Sequence, residues 1–216
     1  MRAILVPALM ALAASGILAQ APKALELVPP QKQGGMPILE VLAKRSTSRA
    51  FDTKELTPQQ LSTLLWAAFG VNRPDGKRTA PSSMNKLETD IYVLLKQGVY
   101  VYDAQQHWLV PVLADDIREL GGKQPFVKDA PVTMVFVANL SKMGNSDRAE
   151  KLNTANIDAG FISQNVYLYC ASEGLATGVR GWVDKETLAK RLKLRADQQI
   201  TVAQSVGYPK LEGAGH

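Results

Sequence analysis

Cysteine and histidine are almost missing from this chain. Its 216 residues hold one cysteine, Cys170, and two histidines, His107 and His216, far apart in sequence. A lone thiol excludes an intrachain disulfide, and no Cys/His cluster exists to hold a zinc ion of the usual ligand types. Charge of one sign is never concentrated. There are 25 Lys plus Arg against 20 Asp plus Glu, a net +5, with no run of five or more like charges. Nucleic acid is therefore not the expected partner, while an anionic small ligand is allowed. Internal repeats and low-complexity segments are absent too. At 46% hydrophobic, 21% charged and 6% aromatic, the composition excludes a collagen, a disordered chain and a polytopic membrane protein.

The long apolar run stands at the start. Met1-Arg2 precedes Ala3–Ala14, and small residues follow from Ser15 to Ala21. A basic start, an apolar stretch and small residues near Ala19 and Ala21 read as a signal peptide over 1–21, which implies export to the periplasm. The run is marginal in length for a membrane span, and Pro7 and Gly16 interrupt it. The expectation is no stable membrane insertion once the signal is removed. No cysteine follows the run, which argues against a lipoprotein. Without a twin-arginine pair the chain would cross unfolded and acquire any cofactor afterwards. The remaining ~195 residues suit one domain with a sizeable core. Residues 22–35, with Pro22, Pro29, Pro30, Gly34 and Gly35, read as an irregular arm; 36–216 form the domain.

Periodicity lays out the domain. Pro37 opens a short helix with an apolar stripe of Ile38, Leu39, Val41 and Leu42, ending near Lys44. Thr57-Pro58-Gln59-Gln60 is a capping box for a second helix with Leu61, Leu64, Leu65, Ala68 and Phe69 inward and Gly70 as its stop. Residues 71–87 read as one long polar loop, a length more often functional than not. Ile91–Leu95 and Val99–Tyr102 form a hairpin, Trp108–Val112 adds a strand, and Asp115–Leu120 is a short helix. Val132–Ala138 is a buried strand, and Ala155–Glu173 the longest helix, apolar on more than one face and so central or shared with a partner. Asp184 caps a helix to Leu194, and Ile200–Val206 is a last strand. The mixture predicts an α+β domain.

Three segments carry possible chemistry. In Lys44-Arg45-Ser46-Thr47-Ser48-Arg49, two guanidinium forks flank three hydroxyls, a donor set that suits phosphate; a solvated loop after a cationic helix end fits as well. Pro81-Ser82-Ser83-Met84-Asn85 could read the edge of a planar heteroaromatic ring, or be an ordinary turn. Gly174 to Trp182 holds three glycines that permit close backbone approach, or simply a helix cap and a bend. Cys170 reads as a packed thiol. Asp103, Asp158 and Glu173 read as bridging or capping groups, and no catalytic side chain is nominated.

Taken together the segments resemble the nitroreductase family, including its SagB-type dehydrogenases and oxidases. Arg45, Thr47, Arg49 and Phe51 match an Arg-X-Ser/Thr-X-Arg-X-Phe pattern; Pro81, Ser82, Ser83 and Asn85 match a Pro-Ser-X-X-Asn loop. Asp158 through Gly174-Leu175 matches the long helix, and Val206-Gly207-Tyr208-Pro209 the closing strand. The resemblance implies a nitroreductase-like α+β fold, a central mixed or antiparallel sheet flanked by helices, in a homodimer with FMN at its interface. Arg45, Ser46, Thr47 and Arg49 would then hold the FMN phosphate and ribityl chain, with Lys210 as an added clamp. Pro81, Ser82, Ser83 and Asn85 would line the flavin, and the backbone at Arg180 and Gly181 would face its reactive nitrogen. The implied reaction is a ping-pong transfer from a small-molecule donor, NAD(P)H in vitro, to a nitro, quinone or other small acceptor. A SagB-like reaction on a peptide or small molecule, a flavin module without turnover and a ligand-free structural dimer are the alternatives.

Overall fold

Side chains alternate across a strand, so a sheet covered on both faces needs apolar residues at consecutive positions. Val132–Asn139 has this character: buried from Val132 through Ala138. In the computed structural model, which describes residues 23–210, this strand lies inside the sheet. The signal-peptide expectation falls on residues outside that range.

In chain order the elements are β1 (Leu25–Glu26), α1 (Ile38–Lys44), α2 (Pro58–Phe69), β2 (Thr89–Leu95), β3 (Gly98–Asp103), β4 (Trp108–Leu113), β5 (Val132–Asn139), α3 (Arg148–Glu173), β6 (Ala176–Arg180), α4 (Lys185–Arg191) and β7 (Gln198–Gly207). The strands form one sheet in the order β1-β4-β3-β2-β5-β7-β6, and every pairing is antiparallel. Ile91, Val93 and Leu95 of β2, with Met134 and Phe136 of β5, face α2 and α3. Tyr92, Leu94, Val135 and Val137 face the opposite way, toward Leu188 and Leu192 at α4.

The capping box at Thr57 is present: Gln60 N–H donates to Thr57 Oγ1 and Thr57 N–H to Gln60 Oε1. The left-handed residue at the end of α3 is Gly174, at φ 68°. Other expectations need correction. The arm is not wholly irregular, because Leu25 and Glu26 pair with Leu109 and Trp108 at the sheet edge. The 71–87 loop holds a Val71–Arg78 bridge and a single 3₁₀ turn at Ser83–Asn85. The helix expected over 115–120 is a 3₁₀ turn at Arg118–Gly121. The long helix starts at Arg148, where Asp147 accepts from Glu150 N–H; its polar first two turns hide it from an apolar pattern. The last helix stops at Arg191. Ala176–Arg180, for which close approach to a ligand or a cap and bend were the expectations, is a strand.

Two helices present apolar residues to solvent. Ile38, Leu39 and Leu42 of α1 are 58%, 77% and 49% exposed, and only Val41 of its stripe is buried. Ile157 and Phe161, one turn apart on α3, are 53% and 45% exposed.

Candidate functional site

The backbone turns out of helix at Arg45, the C-cap of α1, and the basic segment then runs beside β6. Ser48 N–H donates to Thr177 O at 2.9 Å. The approach is so close that a Cβ on Gly178 would stand 2.7 Å from Ser48 O. Tyr167, reaching from α3, ties the two together. Its hydroxyl accepts from Val179 N–H at 3.1 Å and lies 3.0 Å from Thr47 Oγ1. The Arg45 guanidinium stands over the Tyr167 ring, 5.4 Å from its centroid.

Lys210 joins this group from the far end of the chain. Beyond β7 the backbone runs antiparallel to 50–52: Asp52 N–H donates to Tyr208 O, Phe51 bridges Pro209, and Lys210 N–H donates to Ala50 O. Arg45, Ser46, Thr47, Arg49 and Lys210 thus share one neighbourhood. Among the described residues, none of these three cations forms an ion pair. A shallow cavity of about 50 Å³ opens here, lined by Thr47, Ser48, Arg49, Gln124, Phe126 and Gly178–Arg180. Among the described residues no carboxylate lines it.

Arg180 belongs to the wall rather than the opening. Its guanidinium donates to Gly121 O and Gly178 O, both at 3.1 Å, and stacks on Phe126 at 5.6 Å. Burial lowers its pKa to about 10, with Tyr167 partly opposing the shift. The side chain is spent on backbone carbonyls, and the backbone at exposed Gly181 is what faces outward.

The Pro81–Asn85 loop lies elsewhere. Ser83 N–H donates to Asp158 Oδ2 at 2.8 Å, and Leu87 N–H to Ser82 Oγ at 3.0 Å. Met84, Asn85 and Leu87 all have positive φ, at 50°, 54° and 48°. Three such non-glycine residues within four positions form a strained loop of a kind concentrated at binding sites. Asp158, its anchor, and Tyr167, the anchor of the basic segment, are nine residues apart on α3. That separation is about 13 Å along the axis and half a turn around it. The sequence-derived site residues therefore form two groups on opposite faces of one helix.

The first group fits a phosphate ester. Two guanidinium groups and an ammonium without carboxylate partners among the described residues, three adjacent hydroxyls and a backbone approach that only glycine permits at 178 are a donor set suited to phosphate oxygens, of which Thr47, Ser48 and Arg49 line the cavity itself. The cavity is far below the several hundred Å³ of a cofactor pocket, so the rest of a planar ligand needs walls this group does not supply. The larger cavity, about 490 Å³ between the arm, α2 and α3, is lined by none of the predicted flavin-binding residues, though Asn165, Leu168, Tyr169, Ser172 and Glu173 of the long-helix match border it. Tyr167, Gln124 and Phe126 were missed from sequence. Tyr167 sits inside an apolar stretch, and the other two carry no motif. Cys170 is fully buried, and burial pushes its thiol up, as suits an inert core residue.

Comparison with known proteins bears on the family and the fold. The profile of the nitroreductase family matches residues 42–208. A nitroreductase-type protein of Methanocaldococcus jannaschii is 32% identical over 158 residues, 68% of this chain and 80% of its own length. The crystal structure of a nitroreductase-type protein of Ralstonia eutropha superposes with a TM-score of 0.84 at 39% identity, covering 89% of this chain and 92% of that one. The NADPH:FMN oxidoreductase of Vibrio harveyi, solved with NAD+, shares the fold at a TM-score of 0.60 and 19% identity, over 80% of this chain and 69% of its own. With both the sequence relationship and the fold in agreement, the chain belongs to the nitroreductase family and is a flavin-dependent oxidoreductase by class.

Proposed function

We propose that the chain works as a homodimer that binds FMN between its two copies, the basic segment of one facing the Pro81–Asn85 loop of the other. The observation that carries this reading is the placement of Asp158 and Tyr167 on opposite faces of α3. A two-fold related copy packed on Ile157 and Phe161 would bury exposed apolar surface and bring the missing group across the interface. Its walls would complete the shallow cavity beside Gly178.

In this arrangement Arg45, Arg49 and Lys210 bind the phosphate by charge-assisted hydrogen bonds, and Ser46 and Thr47 fill its remaining oxygen contacts. Pro81, Ser82, Ser83 and Asn85 of the second copy line the flavin ring and contact its polar edge. The backbone at Arg180 and Gly181, held rigid by the Arg180 side chain, presents a fixed dipole where negative charge develops, which needs no reorganisation during reaction. FMN held by these residues would supply two-electron chemistry, so that a ping-pong exchange between a small-molecule donor and a nitro, quinone or other small acceptor is the corresponding reaction.

The apolar run Ala3–Ala14 favours an exported, periplasmic protein. NAD(P)H is not an exported metabolite. It would then serve as a donor in vitro, and a SagB-like reaction on a peptide or small molecule is the corresponding physiological reading. The visible spectrum of the purified protein, before and after addition of FMN, tests the proposal. A stoichiometric flavin spectrum that disappears in Arg45→Ala/Arg49→Ala supports it. A colourless protein that ignores FMN, or a double variant that retains flavin at full stoichiometry, overturns the phosphate assignment.

A further inference from the structure

Beneath the Pro81–Asn85 loop lies a pair of buried acids that the reading above does not use. Glu88 is 0% exposed and Asp158 4% exposed, and Asp158 is the acid that bears on Glu88, through its charge and through side-chain hydrogen bonding. Glu88 Oε1 accepts from Thr89 Oγ1 at 3.3 Å, whereas Oε2 is buried without a partner. Asp158 Oδ2 accepts from Ser83 N–H.

Among the described residues no cation forms an ion pair with either acid. Lys142, in the turn after β5, spends its ammonium on Leu87 O at 3.1 Å and Asp90 at 3.3 Å. Lys86, in the loop itself, forms no ion pair among the described residues. From β5, Asn139 offers only its backbone N–H, which donates to Glu88 O. Two adjacent carboxylates cannot both stay charged in such a place.

We propose that Glu88 and Asp158 share one proton, and that this proton is the strut that holds Ser83, and with it the flavin-lining loop, against α3. A proton on Glu88 Oε2 satisfies the orphaned atom, since the acid donates to Asp158, and it leaves Asp158 as the acceptor that Ser83 N–H requires. Burial, then the negative charge of Asp158, raises the Glu88 pKa, in keeping with this. Removing the proton places two negative charges side by side. The cheapest relief is for Asp158 to turn away and release Ser83. Glu88 is therefore a positioning residue that acts through Asp158 and the loop. Its consequence for flavin binding rests on the proposed function, but the proton and the loop anchor do not.

Infrared spectra of the purified protein, titrated from about pH 6 to about pH 10, test the proton directly. The expected result is the carbonyl stretch of a buried, protonated carboxyl group, lost at alkaline pH and absent from Glu88→Gln. Amide exchange over 81–87 tests the anchor. Protection in the wild type should fall about tenfold or more as the band disappears. Glu88→Gln donates an N–H to Asp158 at every pH, so it should keep its protection. A wild type without the band near neutral pH, or equal alkaline loss of protection in Glu88→Gln, overturns the proposal. FMN affinity measured on the same samples is read separately. If no sample binds FMN while the band and the protection behave as expected, the flavin reading fails and the shared proton stands.

Discussion

Asp158 and Tyr167 stand nine residues apart on α3 and point in opposite directions, one holding Ser83 and the other Thr47. Ser83 of the Pro81–Asn85 loop is held through the first, and Thr47 and Val179 through the second. The helix thus separates two half-sites within a chain, and in a dimer it would place complementary halves face to face.

Tyr167→Phe tests the anchor at the basic segment. The change deletes the hydroxyl that accepts from Val179 N–H and pairs with Thr47 Oγ1. Two such hydrogen bonds are worth about 1–3 kcal/mol together. FMN affinity should fall by roughly 5- to 150-fold at unchanged flavin stoichiometry. Fluorescence titration of the apoprotein measures it, and unaltered affinity would remove Tyr167 from the site.

Gly178→Ala should be worse than a glycine-to-alanine change in an ordinary strand. The new methyl would stand 2.7 Å from Ser48 O, a backbone atom that cannot rotate away. Such overpacking typically costs about 1–3 kcal/mol. Thermal unfolding should show that loss, and FMN binding should weaken with it because the displaced atoms belong to the basic segment. A variant with wild-type melting and affinity would contradict the close approach.

Phe161→Glu combined with Ile157→Glu places two charges on the exposed apolar face of α3. Both side chains are largely open in the single chain, at 45% and 53%. Folding of the monomer should be little affected. Light scattering should report a shift from dimer to monomer, accompanied by loss of FMN. A dimer that persists with its flavin would move the interface to another face.

His107 gives the fold a sensitivity to acid. Nε2 lies 2.7 Å from Ser62 Oγ and Nδ1 2.9 Å from the Tyr102 hydroxyl. Ser62 Oγ donates to Val28 O in the arm, so it accepts from Nε2–H, and the neutral ring accepts from Tyr102 at Nδ1. Burial lowers the His107 pKa below 6.5, opposed by a backbone contact to Val28, and Lys32 adds to the lowering. A histidine depressed by folding binds its proton more readily when unfolded. Stability should therefore fall as pH drops from 6.5 through the lower native value, and stay level above 6.5 as far as this group is concerned. Melting temperatures between about pH 8 and about pH 5 should fall more steeply in the wild type than in His107→Gln; parallel curves would contradict the assignment.

Local rules made much of the fold legible. The Thr57 box, the hairpin at Lys96-Gln97 and the buried run from Val132 each declare themselves within a few residues. β6 did not, because Ala176-Thr177-Gly178 has weak strand preference and forms its strand only through pairing with β7. The first turns of α3 carry only Leu152 and Ala155 against a small cluster at Ala138 and Leu140, among charged and polar neighbours, so periodicity had little signal to read. Within the candidate site, the basic segment and the Pro81 loop were visible as donor chemistry. Their separation by half a turn of α3 depends on which residue of a long helix each one meets, and Ser83–Asp158 and Thr47–Tyr167 are contacts across 75 and 120 residues. Glu88 was invisible for the same reason, since an acid declares its proton only through its burial and its neighbour.

The central claim is that one flavin site is built from two chains, and mixed dimers test it most directly. Arg45→Ala/Arg49→Ala lacks the cations, and Ser83→Pro lacks the N–H that anchors the loop; neither should hold FMN as a homodimer. In the mixed dimer one of the two sites combines both defects, while the other pairs an intact basic segment with an intact loop. The account predicts one bound FMN per mixed dimer, read from its visible spectrum. A mixed dimer with no flavin at all would mean that each site lies within a single chain, and would contradict it.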